Sequence, residues 1–222
     1  MKIRKAIQTA ALMMGALTTA SATTIDFLGN DPARGMDITI QADGQTVTWF
    51  SGFTNLILDG MQQQSAFCVD AFTEIWNGSH QVVLEDPNTL NEGARVAWLM
   101  QNLATTVTNA VQAAGLQLAI WDIIHDNGDG LDFGRIQGLA ATDQAVALAA
   151  NGFIAASVGQ SSANATVYTN IAGPDAAQAL MSCGANGGTC GGGETGVPEP
   201  RTLTTFALGA LAVAFGTRRR RA

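Results

Sequence analysis

Beyond residue 5 the chain contains no lysine. Its two lysines are Lys2 and Lys5, and from Thr23 to Gly196 the positive residues are Arg34, Arg95 and Arg135, against 17 Asp and Glu. So acidic a stretch excludes nucleic acid and anionic lipid surfaces as partners, because both are held by Lys and Arg contacts to phosphate. Cysteine is scarce too: three in 222 residues, too few for a disulfide-built scaffold. The apolar stretches near the two ends, Ala6 to Ala16 and Leu203 to Gly216, both fall short of the ~20 residues that span a bilayer comfortably. There is no Gly-rich phosphate loop and no cluster with metal-ligand spacing, so no cofactor and no metal is expected, and the chain does not read as an enzyme.

What is present begins at the ends. Lys2, Arg4 and Lys5 precede the apolar stretch, and Ala20-Ser21-Ala22 follows it. A basic region, an apolar region and an A-x-A site predict a secretory signal peptide over residues 1–22, cut after Ala22. At the other end Val197-Pro198-Glu199-Pro200-Arg201 leads into Leu203 to Gly216 and then Arg218 to Arg221. The arginines would hold the extreme C-terminus in the cytoplasm and leave the preceding chain outside.

The "VPEP", helix and arginine order resembles the PEP-CTERM sorting tail of Gram-negative bacteria that make exopolysaccharide. That resemblance covers residues 198–222 and makes Pro198, Glu199 and Pro200 the sorting signal. It implies transient anchoring in the inner membrane, removal of the tail by an exosortase, and an address in the cell envelope, at the cell surface or in the extracellular matrix. A plain tail anchor is the simpler alternative.

Between the ends lies enough chain for one domain, residues 23–180, followed by a glycine-rich linker over 181–197. "DITIQADGQTVTWF" (Asp37 to Phe50) alternates on both sides of Asp43-Gly44 and predicts a β-hairpin with a type I′ turn. "SAFCVDAFTEIW" has strand-like or mixed character, and "QVVLED" reads as a strand. Asn91 is placed to cap a helix carrying Ala94, Ala97, Trp98 and Leu103. A second helix runs from about Thr108 to Ile124, a third from after Thr142 to about Ala156, and "ATVYTNI" returns as a strand. Strands, then helices, then a strand make the fold class α+β.

Two residues stand out chemically. Cys183 and Cys190 enclose six small residues of an exported segment and are expected to form a local disulfide, which leaves Cys68 odd. In "LQLAIWDII" (Leu116 to Ile124) a primary amide, Gln117, sits inside an apolar run, where an unpaired amide costs roughly 1–3 kcal/mol. A thiol and an amide held together can condense with loss of ammonia into an internal Cys68–Gln117 thioester. Placement supplies much of the rate, and an apolar pocket keeps water off the product. Phe67, Leu118, Ala119 and Ile120 are expected to line that pocket, with Trp121 covering the bond one helical turn from Gln117.

The body here resembles the thioester domains of bacterial surface adhesins. "FCVD" and "LQLAIWD" match their cysteine motif and their T-Q-x-A-[IV]-W motif, with Cys68 and Gln117 in the reacting positions and Ala119, Ile120 and Trp121 in register. Leu116 replaces the threonine, and Val69 stands where an aromatic is usual. The resemblance covers about residues 66–125 and implies covalent coupling to an amine-bearing partner on a surface or matrix. A body without lysine would also spare such a bond from self-acylation.

Four other arrangements compete with the thioester. A non-reactive structural protein of the biofilm matrix would keep Cys68 and Gln117 as core residues. A cysteine hydrolase pairing Cys68 with His80 or His125 lacks either local protease signature. In "HDNGDGLD", an EF-hand fails at its first and last ligand positions. A looser Ca²⁺ site of Asp126, Asp129 and Asp132 competes there with a solvated turn, and the turn is the expectation.

Overall fold

The structure, a computed structural model, describes residues 22–61, 63–173 and 177–184. The expected signal peptide (apart from Ala22), the linker beyond Gly184 and the sorting tail with Pro198, Glu199 and Pro200 lie outside these residues. Among the described residues no helix is long and apolar enough to cross a membrane.

Strand β1 (Thr23–Ala42) and strand β2 (Gln45–Leu58) form the expected hairpin, with Ala42 opposite Gln45. Asp43 and Gly44 carry φ of 47° and 76°, the pair of left-handed residues that a type I′ turn requires. Strand β3 (Gln63–Cys68) returns along β2, and β4 (Gly78–Glu85) pairs with the start of β1. After the helices come β5 (Ile136–Gly138), β6 (Ala165–Asn170) and β7 (Leu180–Cys183). All ladders are antiparallel. The order runs β2-β3-β7-β6-β4-β1-β5, with a further β1–β2 pairing that closes six strands into a circuit. A strand as long as β1 can serve both neighbours because its register shifts at Phe27/Gly29 and Asn30/Gly35 re-aim it part-way.

The helical middle stands as α1 (Gly93–Leu103), α2 (Ala110–Asp126) and α3 (Gln144–Ala156). The fold is α+β, as the sequence pattern predicts. Asn109 and Asp143 cap α2 and α3, their side-chain oxygens accepting main-chain N–H groups of the first turn. Asn91 is not a cap. Glu92 precedes α1 in a left-handed conformation, and the Asn91 amide instead donates to the Ile124 carbonyl at 2.8 Å and to Asn127 Oδ1 at 3.0 Å, fastening the end of α2.

Helix α2 is the core of the molecule. From Ala113 to Ile124 every residue is buried, polar ones included. Its closest helical approach is at Gly115, where an added Cβ would stand 2.6 Å from the Ala149 Cβ and 3.1 Å from both the Ala150 nitrogen and the Val146 carbonyl. Gly115→Ala should therefore lower stability by about 1–2 kcal/mol. The overpacking cost outweighs the better helix propensity of alanine. A urea midpoint equal to or above that of the wild type would contradict this packing.

The linker expectation needs one correction. Met181, Ser182 and Cys183 belong to β7, between β3 and β6, so the sheet continues past residue 180. Small and glycine-rich neighbours disguise these residues locally, but two ladder partners give their main chain hydrogen bonds that a free tether lacks. Cys183 is disulfide-bonded, and Cys190, its expected partner, lies outside the described residues.

Candidate functional site: Cys68 and Gln117

Cys68 ends β3, opposite Leu180 of β7. Gln117 sits mid-way along α2 and is 1% exposed. Although 49 residues apart, the two meet. The Cys68 N–H donates to Gln117 Oε1 at 3.1 Å, and Gln117 Nε2 donates to the Cys68 carbonyl at 2.7 Å. The buried amide is thus paired at both ends with the main chain of a single residue. This two-point clamp sets the Gln117 amide against the main chain of the residue that carries the thiol.

Cys68 is a free, buried cysteine. Burial, with the charge of Asp70 adding to it, pushes its thiol up to about 12, so it is a neutral S–H at physiological pH. It borders a pocket of about 340 Å³, whose lining includes Phe27, Trp49, Phe72, Glu74 and Trp121. Trp121 meets Trp49 edge to face with ring centroids 5.7 Å apart, and Trp49 meets Phe72 likewise at 6.4 Å. The Trp121 indole N–H is buried without a hydrogen-bond partner. The lining carries one charged side chain, Glu74.

Of the residues expected to line the pocket, Trp121 does. Phe67, Leu118, Ala119 and Ile120 are fully buried but are not part of the lining. The reason is periodicity. Neighbouring residues of a strand point to opposite faces, so Phe67 turns away from Cys68 and stacks on Phe53 with centroids 4.4 Å apart. On α2, Gln117 and Trp121 share a face at i and i+4, and Leu118 and Ala119 between them fall on others. Trp49 and Phe72 come from segments distant in sequence. Their aromatic character was visible in the chain, their convergence was not.

The histidines are engaged elsewhere. The Ala71 N–H donates to His125 Nε2 at 3.2 Å, and His80 Nε2 pairs with the Trp76 carbonyl at 2.8 Å. Burial, with the charge of Arg135 adding to it, lowers the pKa of His125, consistent with a ring nitrogen that accepts a hydrogen bond.

In the acidic loop, the three carboxylates brought together are Asp122, Asp126 and Asp129, with ligand oxygens within 4.8 Å of one another. Asp132 is exposed and stands outside the group, so the looser trio of Asp126, Asp129 and Asp132 is not the one brought together. Asp122 projects from the last full turns of α2, where an aspartate inside "AIWDII" is the signal that could have marked it. Burial pushes its carboxyl up to about 7. The charges of Asp129 and Asp126 add to the rise, while the Gly130 N–H and Arg95 oppose it.

No family model, curated protein or solved structure matches this chain.

Proposed function

We propose that the protein is an exported surface or matrix protein whose Cys68 and Gln117 condense to an internal thioester for covalent attachment to amines. The observation that carries this is the double hydrogen bond by which the Cys68 main chain grips the Gln117 amide beside an aromatic-walled pocket. The Cys68 N–H on Oε1 polarises the carbonyl and would stabilise the oxyanion that forms as sulfur attacks. The thiol adds to the amide carbon, its proton passes to the amide nitrogen, and the C–N bond breaks to release ammonia. Because the thiol is held neutral, sulfur and proton move together and no free thiolate is needed. An amine then attacks the same carbon, forming an amide and freeing the Cys68 thiol, the better leaving group. Glu74, the one charge in a lining without Lys or Arg, favours approach of a protonated amine.

In this reading the N-terminal signal exports the chain, an exosortase removes the tail at Pro198–Pro200, and the partner is an amine-bearing component of a surface or matrix. The second reading, a non-reactive structural protein of the matrix, is favoured by the completeness of the Gln117 hydrogen bonds in the unreacted state. Intact mass separates the two. The thioester protein weighs one ammonia less than its processed sequence with the disulfide formed, and denaturation without reductant exposes no thiol. A full mass with one labelable thiol at Cys68 decides for the structural protein.

A further inference from the structure

The C-terminal end of α2 carries an arrangement that the thioester does not use. Asp122 is 0% exposed, and beyond the Gly130 N–H turned toward it neither carboxylate oxygen has a hydrogen-bond partner among the described residues. Its oxygens stand in one group with those of Asp126 and Asp129. Asp126 is already oriented, its two oxygens accepting the N–H groups of Arg135 and Ile136 at 2.8 Å each. A carboxylate offers about four lone-pair sites, so both oxygens keep capacity toward the cluster. Asp129 closes the group from the exposed loop.

Among the described residues no cation forms an ion pair with these three carboxylates; Arg95 and Arg135 act on Asp122 and Asp126 only through space. Arg95, whose charge reaches Asp122, directs its donors to the Ser157 hydroxyl and to the Asn127 and Ile154 carbonyls. The negative end of the α2 dipole lies at the same place and adds to the repulsion. Natural proteins do not leave buried carboxylates unpaired without a partner or a ligand.

We propose that Asp122, Asp126 and Asp129 form a Ca²⁺ site that closes the C-terminal end of α2. The ligand atoms are all carboxylate oxygens, the donor type of hard divalent cations. Two oxygens bound to one ion at the Ca²⁺ distance of ~2.4 Å stand at most ~4.8 Å apart, against ~4.2 Å for Mg²⁺. All three oxygens lie within the Ca²⁺ limit. Water and loop carbonyls complete the six to eight oxygens that Ca²⁺ takes. Because Asp126 also holds Arg135, which forms a two-point ion pair with Asp43, the ion would brace the hairpin turn as well as the helix end.

The test is thermal unfolding of the purified, EDTA-treated protein in rising CaCl2, with NaCl at matched ionic strength and MgCl2 as controls. Ca²⁺ should raise Tm saturably, by ~5–10 °C at a concentration about 100 times its Kd, with the Kd near ~10⁻⁴–10⁻³ M as in other extracellular sites. Mg²⁺ should act at least ~10-fold more weakly by concentration. Asp122→Asn should remove most of the Ca²⁺-dependent rise. Asp129→Asn, at an exposed position where folding is not at stake, should weaken binding ~10-fold or more. Three results would overturn the proposal: no saturable rise, a rise that NaCl reproduces, or an undiminished rise in Asp129→Asn.

Discussion

Cys68→Ala and Gln117→Ala should each abolish covalent capture of a small amine by the folded protein. Wild type incubated with methylamine should gain it in a bond to the Gln117 carbonyl and release one thiol at Cys68. Either alanine variant should show neither change. The effect is all or nothing because one variant removes the attacking sulfur and the other the electrophilic carbon. The wild-type reaction should be slow in native buffer and faster once mild denaturant loosens the fold. The bond would form within a buried pair, at a pocket that Trp49 and Trp121 help to line. Peptide mapping of the product checks this directly, since methylamide belongs at Gln117 alone. Labelling that survives Cys68→Ala would place the chemistry elsewhere. Wild type that takes up no amine and yields an alkylatable Cys68 would reduce the pair to core packing.

Arg95→Ala should cost about 3 kcal/mol of stability, the largest loss expected of any exposed-to-buried polar contact in the helical layer. Arg95 is 9% exposed and its guanidinium joins three elements. From α1 its Nε donates to Ser157 Oγ at 2.7 Å, Nη1 to the Asn127 carbonyl at 2.8 Å beyond α2, and Nη2 to the Ile154 carbonyl at 3.0 Å in α3. Deleting it takes the donor from the Asn127 carbonyl at the C-terminus of α2 and unties α1 from Ser157, while the Ile154 carbonyl keeps the Ser157 N–H and hydroxyl. Arg95→Lys should recover little, because a single ammonium cannot reproduce three donors in a fixed plane. Urea unfolding measures both. A loss below about 1 kcal/mol for Arg95→Ala would mean that water replaces those bonds at no cost.

The hairpin illustrates what local pattern carries well. Alternation around Asp43-Gly44 specifies both the strands and the turn, because a type I′ turn needs two residues that tolerate positive φ and the flanks need one apolar face. Helices α2 and α3 were legible from their apolar runs, while their caps, Asn109 and Asp143, came only with the structure. Helix α1 was legible as a helix but its cap was misread. Asn91 has the right chemistry for a cap, yet the α2 C-terminus lies closer and takes its amide. Strand β7 was missed because four residues hold too little periodicity to announce themselves. Their pairing partners, β3 and β6, are set by topology.

The site divides in the same way. By itself the sequence determined two residues that carry unusual chemistry: an odd thiol in "AFCVD" and an amide within "LQLAIW". Such residues are conspicuous because burial of polar atoms is costly, and the apolar runs around them foretell burial. Only the tertiary structure decided their partners. It set the Gln117 amide across the Cys68 main chain, turned Phe67 to the far face of β3, and brought Asp122 rather than Asp132 to Asp126 and Asp129. Contacts across 49 residues depend on how strands and helices pack, and the faces that meet are fixed by that packing, which no local stretch of chain encodes.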